Sequence, residues 1–192
     1  MQKPIQNRTL KTRARLLSAA EDVVQRNGYE ALRVEEVVQA AGVAKGTFFA
    51  HFHDKDALME ILMGEKLSAC FDQADSGPDP KTVSEIIAAL EPVHSFMTSE
   101  RYVFDLLLRY SGATGIAEIG PIAHCFERYF RLVSGWLEHA TVRQDVSHDL
   151  LAEGVQAFSI QAMSLQFCAL HEAQSFADRL EVYLEAWLTP AT

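Results

Sequence analysis

Lys45, Thr47, His51 and Lys55 place two ammonium groups, a hydroxyl and an imidazole within one short stretch, with Gly46 among them. Such groups can hold phosphate oxygens and touch base edges, and a glycine lets the backbone come close. Phe48 and Phe52 are four apart, so a helix here has one face to bury. The stretch from Ala44 to Phe52 is therefore expected to be helical. Before it, Val34, Val37, Val38 and Ala41 share a face at helical spacing, and Gly42 is suited to the left-handed stop. Two short helices joined by a glycine-containing turn describe a helix-turn-helix, whose second helix is the one that enters a DNA major groove. Arg33, at the start of the first of these helices, is placed for phosphate, and Lys11 and Arg13, with the N-terminal arm, are placed to follow the DNA backbone or a minor groove.

Other chemistry finds less support. His124-Cys125 and Cys168-x-x-His171 supply soft metal ligands. There is no CxxC or HxxxH spacing, and neighbours in sequence do not face one way on a helix. Catalysis would need a nucleophile–base pair or paired carboxylates, but no GxSxG, HExxH or phosphate-cradling glycine loop occurs. The expectation is a non-enzyme without metal or cofactor. A metal- or thiol-responsive regulator, a helical enzyme and a helical protein-binding module stand as alternatives.

The 192 residues allow one or two small domains, and 48% hydrophobic residues allow a full core. No apolar run approaches a membrane span of about 20 residues, and the N-terminus lacks an apolar signal region. Three widely separated cysteines, Cys70, Cys125 and Cys168, suit reduced thiols, so a cytoplasmic location is expected. The net charge of −9 is unevenly divided. Residues 1–55 hold nine basic residues (Lys3, Arg8, Lys11, Arg13, Arg15, Arg26, Arg33, Lys45, Lys55) and six acids (Glu21, Asp22, Glu30, Glu35, Glu36, Asp54), a net of +3. The remainder carries −12. A basic head would turn toward phosphate and an acidic body away from it.

The chain reads as all-α, with about nine helices and no strand alternation. Residues 1–8 look like a loose basic arm. A helix from Thr9 to Asn27 carries Leu10, Ala14, Leu17, Ala20 and Val24 as its stripe, with Leu16 and Val23 beside it, and stops at Gly28. Asp54 caps the helix that follows the helix-turn-helix. SGPDP at 76–80 is a break, with Asp79 as cap and Pro80 at the first helical position. Pro92 predicts a kink or break in the next helix. Residues 99–110 look apolar all round, SGATG interrupts at 111–115, and Pro121 opens another helix. From Ser147 to about His171 apolar residues point everywhere, which calls for a second partner beyond the chain's own core. Ser175 and Asp178 open the last helix.

Residues 12–62 resemble the DNA-binding head of the tetracycline-repressor (TetR) family. The resemblance rests on Gly28-Tyr29, Ala41-Gly42-Val43, Lys45-Gly46-Thr47, Phe48-Phe49, His51-Phe52, Lys55 and Leu58. It covers about a quarter of the chain, and DVSHDLLAEG at 145–154 adds a weaker likeness to the family's dimerising helix. It implies a homodimer with a three-helix head (1–55) on an effector-binding and dimerising body (56–192). A small molecule in the body would alter the spacing of two heads on a pseudo-palindromic operator, freeing the DNA. The recognition helices would lie about 34–36 Å apart or a near multiple. DNA contacts fall to Lys11, Arg33, Ala44, Lys45, Gly46, Thr47, Phe49, His51 and Lys55. Arg33, Ala44 and Phe49 stand where the family usually has hydroxyls, so phosphate binding is expected to rest on charge.

The effector pocket is expected among His94, Met97, Tyr102, Phe104, Arg109, Tyr110, His124, Phe126, Trp136, Met163 and Phe167. A buried His or Arg needs a polar partner, which makes His94, Arg109 and His124 the polar candidates. The dimer interface is expected from residues 147–188, at Leu151, Val155, Phe158, Ala162, Leu165, Leu180, Leu184 and Trp187.

Overall fold

The structure, a computed structural model, describes residues 3–112, 119–171 and 174–190. Among these all regular structure is helical: α1 (Lys3–Asn27), α2 (Val34–Ala41), α3 (Lys45–Phe49), α4 (Lys55–Asp75), α5 (Val83–Met97), α6 (Arg101–Arg109), α7 (Pro121–Leu137), α8 (His148–Gln166) and α9 (Phe176–Leu188). A short 3₁₀ turn, Ala169–His171, follows α8. No helix among the described residues is long and apolar enough to cross a membrane.

Helices α1, α2 and α3 form a head that rests on α4. Leu16, Ala20 and Val23 of α1 close over Leu32, Val37, Phe48 and Phe52, all buried. Phe48 and Phe52 stack 5.3 Å apart between ring centres, as their spacing requires. In the body, α4 packs on α5 and α7, α7 on α8, α8 on α9, and α9 back on α5. These five helices make a closed ring of neighbours around one apolar centre, and α6 bridges from α5 to α4.

Caps explain most of the boundaries. Asp54 accepts from the Ala57 amide at 2.8 Å and starts α4. Ser147 and Ser175 do the same for α8 and α9. Gly42 ends α2 in the left-handed conformation (φ 62°), and Val43 closes the turn with a bond to the Val38 carbonyl at 3.0 Å.

Several expectations are corrected. Helix α1 begins at Lys3, so residues 3–8 are not a loose arm; residues 1–2 and the side chains up to Asn7 lie outside the described residues. Its buried stripe runs through Leu16, Ala19, Ala20 and Val23, leaving Leu10 exposed. Helix α3 is shorter than expected, with Ala50–Phe52 as its closing turn. Helix α5 starts three residues later than Pro80, because Thr82 supplies the cap and accepts from the Glu85 amide at 3.3 Å. Pro92 does not break α5. The carbonyl it leaves unbonded belongs to Ala88, which is exposed and can be met by water. Helix α6 is one-faced, burying Val103, Phe104, Leu106 and Leu107 while Arg101, Asp105 and Arg109 face out. The expected interruption at 111–115 lies mostly outside the described residues.

The expected dimer face is also redrawn. Leu151, Val155, Ala162, Leu180 and Leu184 are fully buried inside the single chain and cannot reach another subunit. A helix apolar all round spends one stripe on its own core, and periodicity alone does not tell which. Phe158, Leu165 and Trp187 stay half-buried, while Leu150 and Val182 are exposed.

Helices α8 and α9 approach closely at Gly154. The Trp187 indole lies over it and donates to the Leu151 carbonyl at 3.1 Å. A Cβ at position 154 would overlap the indole nitrogen. Gly154→Ala should therefore destabilise the chain by about 1–3 kcal/mol despite its better helix propensity. Urea unfolding checks this, with a midpoint equal to wild type counting against the close packing.

Candidate nucleic-acid interface and body cavity

The groove at the free end of the head is lined by Arg8, Thr9, Lys11, Thr12 and Arg15 from α1, by Gly42, Val43 and Ala44 from the turn, and by Thr47 and His51. Its volume is about 1000 Å³ and no acid lines it. It thus offers three cations and three hydroxyls to a polyanion. One of the cations, Arg15, has no such role in the sequence and becomes visible only when α1 is laid across α3. The hydroxyls missing at positions 33, 44 and 49 have counterparts here in Thr9, Thr12 and Thr47.

Arginines of α1 also hold the helix-turn-helix in shape. Arg13 donates to the His51 carbonyl at 2.8 Å and stacks on the Phe52 ring at 4.6 Å. Arg15 donates to the Ala41 carbonyl at the C-terminus of α2, where a cation suits the helix dipole. Within α3, Gly46 has open space where a Cβ would lie. Phe49 is 48% exposed, its ring edge-on to Phe48 at 5.2 Å. Lys45 is exposed and paired with Glu35 of α2 at 2.5 Å. That bond from Lys45 holds the Glu35 carboxyl below its usual range. Arg33 sits at the N-cap of α2 without capping it by its side chain, and donates to the Glu30 and Leu32 carbonyls at 3.1 and 3.3 Å.

Lys55 is placed differently from the expectation. Its ammonium donates to the Glu30 carbonyl at 3.3 Å and lies 5.0 Å from the centre of the Tyr102 ring. Burial and the nearby Arg33 push its pKa down. It belongs to the seam between head and body. Glu100 is the centre of that seam. Its two carboxylate oxygens accept from the Tyr29 and Glu30 amides at 2.9 and 3.0 Å. Tyr29 packs on Phe96 of α5 with ring centres 5.8 Å apart, and burial followed by Glu100 pushes its phenol up to about 12. Arg109 and Asp56 pair at 3.4 Å in the same region.

The body's enclosed cavity lies at the centre of the five-helix ring. Leu67 and Phe71 of α4, Val93, His94 and Met97 of α5, Phe126 and Tyr129 of α7, and Gln156, Ser159, Ile160 and Met163 of α8 line it. The space open to a water-sized sphere is only about 10 Å³, close to the minimum for one water. Its walls hold four buried polar atoms without a hydrogen-bond partner: both ring nitrogens of His94, the Tyr129 hydroxyl and the Ser159 hydroxyl. Each such atom costs about 1–3 kcal/mol. Burial pushes the His94 pKa down to about 4, leaving the ring neutral. Burial raises the Tyr129 phenol.

Four of the expected pocket residues, His94, Met97, Phe126 and Met163, meet at this cavity. The others do not. Arg109 is exposed on Asp56, and His124 is exposed near Glu127. Tyr102 faces Lys55. Tyr110 is half-buried near Asp56, outside the cavity. Phe104 packs on Phe167 at 5.6 Å, and Trp136 is core. Tyr129 and Ser159 escaped the sequence reading, because each resembles an ordinary core or helix residue until its lack of a partner is seen. Among the described residues no group of three or more His, Cys, Asp or Glu side chains could hold a metal. Burial raises the thiols of Cys70 and Cys125, away from reactive thiolate.

A family model described as bacterial regulatory proteins, tetR family, matches residues 16–62, which span α1 to α4 and hold the whole helix-turn-helix. Residues 16–62 thus carry a tetR-family DNA-binding head. The chain is also similar to the uncharacterized HTH-type transcriptional regulator YvdT of Bacillus subtilis (strain 168). The two are 26% identical over 150 residues, 74% of this chain and 71% of that protein. The same fold occurs in Thermus thermophilus FadR, a TetR-family transcriptional repressor solved in complex with lauroyl-CoA (TM-score 0.60, 20% identity, 94% of this chain and 97% of that one). It occurs also in a transcriptional regulator from Saccharomonospora viridis in complex with choline (TM-score 0.63, 17% identity, 94% of this chain and 99% of that one).

The Lys45–Glu35 pair sets the first test of this TetR head. If Lys45 contacts DNA, the DNA competes with Glu35 for it. Glu35→Gln should tighten DNA binding several-fold at low salt, with a gap that narrows as salt rises. Fluorescence anisotropy over a salt series checks it, and an affinity unchanged at every salt concentration would show that Lys45 plays no part.

Proposed function

We propose that this regulator is a homodimeric repressor that a small molecule releases from a pseudo-palindromic operator. The observation that carries the reading is the composition of α5. His94 and Met97 of this helix line the cavity, Phe96 beside them packs on Tyr29 of the head, and Glu100 follows immediately. A ligand that enlarges the cavity moves His94 and Met97, and the same helix end carries the displacement to the α1–α2 turn. The ligands reported for the Thermus and Saccharomonospora fold neighbours support a body that accommodates small molecules.

In this reading residues 1–55 are the DNA-binding head and 56–192 the effector and dimerisation body, with α4 as the shared floor. Lys45, Gly46 and Thr47 face the major groove, flanked by Ala44 and Phe49. Arg33, His51 and Lys11, with Arg8 and Arg15, hold phosphate. Lys55 braces the seam instead. A second copy docks on the outward sides of α8 and α9, where Leu150 and Val182 are exposed and Phe158, Leu165 and Trp187 half-buried.

Lys45→Ala should abolish the specific shift of DNA from the chain's own upstream region and leave weak nonspecific binding. Wild-type affinity should fall steeply with salt, with a log–log slope set by the phosphate contacts. No specific shift at any salt would remove the repressor reading, and a nearly flat salt response would remove the charge-based grip.

A further inference from the structure

The body cavity constrains the chemistry of what fills it, given the effector-released reading above. Three side chains that line this small volume carry four buried polar atoms without a hydrogen-bond partner: His94 Nδ1 and Nε2, Tyr129 Oη and Ser159 Oγ. Buried polar groups in folded proteins are almost all satisfied, so four together mark a place that something else completes. His94 and Tyr129 are each less than 5% exposed, so bulk water does not complete them.

We propose that the cavity takes an uncharged, mostly apolar molecule bearing carbonyl or hydroxyl oxygen, which bonds to Tyr129, Ser159 and His94. A phenol donates, a neutral imidazole offers one donor and one acceptor, and a serine hydroxyl offers both. A carbonyl oxygen accepts from the phenol, the serine hydroxyl or the imidazole N–H, and a ligand hydroxyl can also donate to the imidazole's bare nitrogen. The rest of the wall is apolar, apart from the Gln156 amide, and no charged side chain lines it. The nearby cation is committed elsewhere. Arg128 pairs with Asp72 at 2.6 Å and Asp75 at 3.5 Å, with its guanidinium on the Phe71 ring, which itself lines the cavity. A buried carboxylate or ammonium would find no opposite charge here and would lose its hydration. His94, neutral through its burial, supplies none either. Size is adjustable, since Met97 and Met163 flank the cavity and methionines repack readily.

The test uses the DNA-free full chain and three probes of one hydrocarbon frame: 4-phenylbutan-2-one, 3-phenylpropanoate and 3-phenylpropylamine. Binding is read by calorimetry and by the rise in melting temperature. The ketone should bind at least tenfold more tightly than the carboxylate or the ammonium. Tyr129→Phe and Ser159→Ala should each weaken it about tenfold. Tyr129→Phe removes an unpartnered hydroxyl, so its melting temperature without probe should equal or exceed that of wild type. Equal or tighter binding of either charged probe, no binding of the ketone, or ketone binding indifferent to both substitutions overturns the proposal. Because DNA is absent, these outcomes are separate from the repressor reading, which fails instead if the protein binds no specific DNA or if a bound probe leaves DNA affinity unchanged.

Discussion

One carboxylate joins the two halves of this molecule. Glu100 stands at the N-cap of α6, but its side chain does not cap that helix. It reaches the α1–α2 turn and accepts from two consecutive backbone amides there. The reach depends on Gly28, whose left-handed φ of 83° turns the chain and whose missing Cβ leaves room; a Cβ there would lie 2.9 Å from Glu100 Oε1. A charged acceptor on two amides is stronger and more directional than a neutral bond. The head's attitude on the body is therefore set by a few atoms, backed by Tyr29 on Phe96 and by Lys55 against Glu30 and Tyr102.

The proposed release by a small molecule rests on this arrangement. The cavity wall and the seam share α5, so no long relay of contacts is needed. The unpartnered atoms in the cavity are a local loss of stability kept in a core that is otherwise apolar. Local stability forgone in this way is typical of functional sites, which the proposed binding role of the cavity would explain. The DNA side has a parallel feature. Lys45 is held by Glu35, so the head's positive charge is partly neutralised there.

Much of this was legible in the sequence because it is local. The glycine stop at 42, the Phe48–Phe52 pair and the caps at Asp54, Ser147 and Ser175 depend on residues a turn or less apart. Features that depend on distant partners were not. Nothing near Glu100 in sequence points to Tyr29, 71 residues away. Tyr129 and Ser159 look like core and helix residues until α7 and α8 are packed together. Lys55 reads as a phosphate contact until Tyr102 is placed beside it. The α8 and α9 stripes were misassigned because a helix apolar on two sides gives the same periodicity for core and interface.

The coupling through Glu100 is the central claim, and the ratio of DNA affinities with and without saturating cavity ligand tests it most directly. The account predicts that Glu100→Ala binds 4-phenylbutan-2-one and ligand-free DNA within about threefold of wild type, while the ligand's effect on DNA affinity falls by most of its size. An affinity ratio in Glu100→Ala equal to that of wild type would contradict it.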